Sequence, residues 1–81
     1  MAKFNGRYFY KIDVMSVMSE NGYSFMISTA NELPDENDAL NIAFGLNCFE
    51  NDQDVNYALV DDLVTERVIK QFIECGCCYQ E

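Results

Sequence analysis

Cys75-Gly76-Cys77-Cys78 is the densest run of reactive side chains in the sequence, and with Cys48 it supplies four thiols. Four thiolates are enough in number for a tetrahedral Zn²⁺ site, and a C-x-x-C pair is the arrangement of dithiol redox proteins. The spacing favours neither chemistry. Structural zinc sites draw on two separated pairs, whereas three of these cysteines lie within four residues and only Cys48 is left to close the tetrahedron. A reactive C-x-x-C sits at a helix N-terminus, where the positive end of the dipole stabilises thiolate, and this one follows a helix end. The expectation is free thiols, with Cys75 in the core, Cys77 and Cys78 in a tail, and no metal or other cofactor.

Glu50-Asn51-Asp52-Gln53-Asp54-Val55-Asn56 places oxygen ligands at alternate positions, like the start of an EF-hand loop. Counted from Asp52, however, the position that requires glycine holds Tyr57, and the position of the bidentate glutamate holds Leu63. A solvated acidic loop is the better reading. The absence of histidine removes the commonest general base and every Ser-His or Cys-His nucleophile pair. Paired carboxylates for glycoside hydrolysis would need a cleft that so short a chain has little volume to build, and no glycine-rich phosphate loop is present. The sequence predicts no catalytic activity.

What remains is charge. Fourteen acids face five bases for a net charge of −9, and no base occurs between Ile12 and Glu66, a stretch that holds twelve of the acids. Direct binding to nucleic acid or to an anionic membrane requires clustered Lys or Arg, so both are excluded as expectations. The bland reading of the acids is a solubilising surface. The sharper reading is a surface that engages a basic patch on a larger protein, such as a nucleic-acid-binding groove, by competing for its Lys and Arg side chains. Small phage and mobile-element inhibitors of restriction or CRISPR nucleases use that strategy as a class, and composition supports the analogy. The candidate contacts are Glu32, Asp35, Glu36, Asp38, Glu50, Asp52, Asp54, Asp61 and Asp62.

These side chains need elements to hold them. The aromatic and β-branched run from Arg7 to Met18 and the run from Tyr23 to Thr29 flank Asn21-Gly22, a strong hairpin signal. A two-residue type I′ turn there would pair Met18 with Phe25 and Val14 with Thr29. It would also put Tyr8, Tyr10, Ile12, Val14, Met18, Phe25 and Ile27 on a core face. The opposite face carries Phe9, Met15, Val17 and Met26, apolar enough to suggest an interface unless terminal segments fold back over it. Asp35 is placed to cap a helix that starts after Pro34, and its apolar stripe of Ala39, Leu40, Ile42, Ala43, Phe44 and Leu46 spans roughly 200°. Val55–Val60 reads as a third strand. A helix from Leu63 or Thr65 to Cys75 follows, ended by Gly76, with Glu66, Lys70 and Glu74 as an exposed i, i+4 ladder.

The order β-β-α-β-α predicts a small α+β domain, with a three-stranded antiparallel or mixed sheet and both helices on one face. At 81 residues the chain leaves room for one core, so residues 1–81 are expected to form a single domain. Without a signal-peptide pattern or a long apolar run, a cytoplasmic location is expected. The leading expectation of function is a small acidic protein-binding module. The alternative is a non-catalytic structural or assembly subunit, homodimeric through the outer hairpin face.

Overall fold

From Arg7 to Val14 one alternating set, Tyr8, Tyr10, Ile12 and Val14, is apolar or aromatic throughout, while the other carries a single large apolar side chain, Phe9, among Arg7, Lys11 and Asp13. The computed structural model describes residues 3–15 and 22–81. It contains β1 (Lys3–Phe4), β2 (Arg7–Val14), β3 (Tyr23–Thr29), α1 (Glu36–Gly45), a 3-10 helix (Asp52–Tyr57), β4 (Ala58–Asp61), α2 (Glu66–Glu74) and β5 (Cys78–Gln80). β3 runs antiparallel along one edge of β2, and β1 and β4, also antiparallel, share its other edge. β5 lies outside β3 and parallel to it. The fold is α+β with a mixed sheet, as expected, but the sheet has five strands rather than three.

The two extra strands are two and three residues long, too short for a periodicity to show. β1 nevertheless carried a signal. Phe4 pairs with Arg7 across Asn5-Gly6, whose φ angles of 54° and 77° are those of a type I′ turn. This is the same Asn-Gly dipeptide that draws attention at Asn21-Gly22. The turn proposed at that second site falls on residues 16–21, outside the described residues, but the register it implies is overturned. Val14 pairs with Tyr23, Ile12 with Phe25 and Tyr8 with Thr29, so the pairing is displaced by six residues. Because six is even, the same side chains still share a face. Gly22 is required for a different reason from turn geometry: a Cβ there would collide with the Val14 carbonyl oxygen. Gly22→Ala is expected to destabilise the fold by more than about 1 kcal/mol, since backbone must move to admit it. A denaturant midpoint equal to that of the parent would refute this close approach.

Tyr10, Ile12, Val14, Phe25 and Ile27 form the main core with Ala39 and Ala43 of α1 and with Cys48. The opposite face is not an open surface. Phe9 and Met26 pack against Ile69 of α2, flanked by Val64, Val68 and Phe72. The two helices therefore cover opposite faces of the sheet rather than one. Phe9 of β2 and Met26 of β3 give this second face its apolar side chains, and α2 supplies their cover.

α1 starts as expected, with the Asp35 carboxylate accepting the Asp38 N–H at 3.1 Å. Its stripe is narrower than expected, however: Ala39 and Ala43 are buried, whereas Phe44 is exposed. Residues 55–57, expected in a strand, belong to the 3-10 helix, and the strand begins only at Ala58. Thr65 caps α2 through the Val68 N–H. At its other end Cys75 is exposed, not in the core, and Cys77 and Cys78 are half-buried, with Cys78 in β5 rather than in a tail.

Candidate functional site

The acids divide into groups that the sequence does not separate. Tyr10 lies in the core with its hydroxyl accepting the Leu33 N–H at 2.9 Å, and Thr29 donates to the Asn31 carbonyl at 2.7 Å. These two bonds fix the chain that leaves β3, and Pro34 then delivers it to the Asp35 cap. From the other direction β4 pairs with β2, placing Val60 on the core face beside Ile12 and leaving Asp62 just past the strand end. The result is a cleft of about 290 Å³ lined by Tyr10, Leu33, Pro34, Asp35, Glu36, Val60 and Asp62. Three carboxylates from two distant segments thus meet around apolar walls. The N-terminus of α1 contributes only about half an elementary positive charge, too little to cancel them.

Glu32 and Asp38 flank this cleft on the same segment as Asp35 and Glu36, with Glu32 exposed and Asp38 half-buried. Glu50 and Asp52 are exposed at the start of the 3-10 helix. Asp54 is different. It is 4% exposed and accepts a hydrogen bond from the Tyr23 hydroxyl at 2.7 Å, so it is not free to meet a partner. The Tyr23 oxygen in turn accepts the Glu50 N–H at 3.1 Å. Burial, reinforced by the neighbouring carboxylates, pushes the Tyr23 phenol from 10.0 up to about 12. The acidic loop is therefore pinned to β3 rather than simply solvated. Asp61 is exposed but stands apart from the cleft, opposite Lys11 in the sheet on the α2 face, where its carboxylate accepts the Leu63 N–H at 2.8 Å.

The apolar set proposed as an interface is likewise revised. Phe9 is 5% exposed and Met26 is 0% exposed, both beneath α2. Met15 is exposed, and Val17 lies outside the described residues. A homodimer through this face would first have to remove α2.

The bases are segregated. Arg7 and Lys11 point to the α2 side of the sheet, and Arg67 and Lys70 lie on α2 itself. Arg7 donates to the Ser28 hydroxyl at 2.7 Å and to the Ser28 and Glu81 carbonyls at 3.0 and 3.3 Å, tying β2 and β3 to the chain end. Lys11 pairs with Asp13 at 3.4 Å and Lys70 with Glu66 at 3.0 Å. Only Lys3, with its ammonium over the Tyr8 ring, stands on the α1 side, at the β1 corner.

Among the described residues no three Cys, Asp, Glu or His side chains come together in a way that could hold a metal ion. Burial pushes the Cys48 thiol up to about 11, which keeps it protonated and unreactive near neutral pH. No described helix is long and apolar enough to cross a membrane. The walls of the cleft, Tyr10, Leu33 and Val60, and the Tyr23 hydroxyl were not anticipated. No local pattern marks them, because each acquires its role through a contact distant in sequence. Comparisons with protein-family models, with curated proteins and with solved structures find no match for this chain.

Proposed function

We propose that this chain is a small, non-catalytic binding module that engages a basic surface on a larger protein and seats one of that partner's Lys or Arg side chains in the cleft beside Asp35. The observation that carries the reading is the convergence of Asp35, Glu36 and Asp62 on a slot walled by Tyr10, Leu33, Pro34 and Val60. A lysine or arginine is an apolar stem with a cationic head, and this slot offers a wall for the one and carboxylates for the other. Four of the five bases lie on the α2 side, so the α1 side, with Lys3 alone at its β1 corner, presents a predominantly negative field that would steer a basic partner toward the cleft. In its sharper form the proposal is a nucleic-acid-mimicking inhibitor, of the kind that phages and mobile elements direct at restriction or CRISPR nucleases, acting in the cytoplasm. The assembly-subunit alternative is less favoured, since α2 covers Phe9 and Met26 of the surface it invoked.

The test uses the variant Asp35→Asn/Glu36→Gln/Asp62→Asn. Asparagine caps a helix about as well as aspartate, so the variant removes charge without removing the cap. Binding of an arginine- and lysine-rich peptide, followed by NMR shifts, should centre on these three residues. It should also weaken steeply with salt, as the Debye length falls from about 30 Å at 0.01 M to about 8 Å at 0.15 M. The variant should keep its melting temperature and lose the binding. Binding that is equal at both salt concentrations, or unchanged in the variant, would leave the acids as a solubilising surface only.

A further inference from the structure

Cys75, Gly76 and Cys77 form the turn that ends α2 and feeds β5. Cys75 is the C-cap, Gly76 has φ of 78°, and the N–H groups of Gly76 and Cys77 donate to the carbonyls of Ile73 and Phe72 at 3.2 and 3.0 Å. This is a Schellman motif, and it reverses the chain sharply enough to fold the second cysteine back on the first. The Cys77 thiol donates to the Cys75 carbonyl at 3.8 Å, and the Cys75 thiol donates to the Phe72 carbonyl at 3.5 Å. The turn is held from outside as well, because the Cys77 carbonyl accepts the Met26 N–H at 2.8 Å. Two thiols are thus gathered on one fixed turn, one of them exposed.

We propose that Cys75 and Cys77 form a thiol–disulfide exchange site that reduces small disulfides such as glutathione disulfide. The Cys75 thiolate attacks one sulfur of the external disulfide, breaking its S–S bond and expelling one thiolate. The Cys77 thiolate then attacks the Cys75 sulfur of the mixed disulfide and expels the second. Two electrons pass from the cysteine pair to the external disulfide, and the two protons lost by Cys75 and Cys77 are returned to the two leaving thiolates through solvent. Exposure makes Cys75 the attacking group. Cys77 suits the resolving role, since it is half-buried and its thiol is held over the Cys75 carbonyl, beside the sulfur it would attack. The position at a helix C-terminus favours electron donation. No positive dipole end stabilises a thiolate here, so the reduced form gains no special stability and the pair gives electrons rather than taking them. Because the turn already exists in the folded chain, closing the disulfide requires the two thiols to rotate off the Phe72 and Cys75 carbonyls but little backbone ordering.

The experiment equilibrates the protein in mixtures of reduced and oxidised glutathione, natively and in urea, traps free thiols by alkylation and maps disulfides by mass spectrometry. The folded protein is expected to form the Cys75–Cys77 disulfide at a ratio of oxidised to reduced glutathione at least about tenfold lower than the unfolded chain needs. A Cys48→Ser/Cys78→Ser background should behave the same way. Cys77→Ser should stop at a mixed disulfide with glutathione on Cys75, and Cys75→Ser should form neither product. Equal oxidation of folded and unfolded protein, or a disulfide mapped to Cys75–Cys78 or Cys48–Cys77, would overturn the assignment.

Discussion

Replacing Ile69 with alanine is expected to cost about 3 kcal/mol, within the range of about 2–5 kcal/mol typical of emptying a buried isoleucine site. Ile69 is 1% exposed and is the buried residue through which α2 meets Phe9 and Met26. A domain of this size has only about 0.05–0.15 kcal/mol of stability per residue, so the loss is a large part of the whole. Ile73 lies one turn further along the same helix and is 48% exposed, and Ile73→Ala should change stability by no more than about 0.5 kcal/mol. Urea denaturation of both variants, with binding of an apolar dye to report exposure of Phe9 and Met26, makes the comparison. Equal costs for the two variants would mean that α2 does not dock on the sheet through Ile69.

Asp54→Ala is the second large effect, with an expected cost of about 2 kcal/mol, because the half-buried Tyr23 hydroxyl would lose its acceptor. Tyr23→Phe should cost a similar amount. The double variant should cost little more than Tyr23→Phe alone, since both changes remove the shared Tyr23–Asp54 hydrogen bond and only Tyr23→Phe also removes the acceptor of the Glu50 N–H. Additive losses would show that the two groups act independently. The raised Tyr23 pKa adds a test with a definite sign. Below pH 10 the phenol keeps its proton whether the chain is folded or unfolded, so the contribution is fully present. As the pH rises from 10 toward the folded value of about 12, the unfolded chain ionises first and that stability is lost. Tyr23→Phe should lose less stability across this window than the parent. These expectations also bear on the acidic loop: reversing Glu50, Asp52 and Asp54 together to Lys would unfold the 3-10 helix as well as change the surface charge, which is why the binding test uses the cleft residues.

Much of the architecture could be read in the sequence, because it depends on short-range chemistry. The core face of β2 and β3 follows from side chains of period two, and it survives a register displaced by six residues because the displacement is even. The Asp35 and Thr65 caps are local bonds across three residues. β1 carried a local signal too, the Asn5-Gly6 turn, but the expectation of three strands missed it.

Tertiary structure decided the rest. Whether α2 covers the free face of the sheet or joins α1 on the other cannot be read from its own periodicity, which says only that one side of the helix is apolar. The answer lay partly in the opposite strand, where Phe9 and Met26 needed a cover. Asp54 and Asp52 are both acids of the same loop, yet one is buried, because Tyr23, 31 residues away, supplies a hydroxyl for it. Asp35 and Asp62 become neighbours only when β4 pairs with β2 beside the start of α1. Composition by itself determined an acidic chain with few bases. Folding decided which of those acids face solvent together, because long-range pairing, rather than propensity, sets which segments meet.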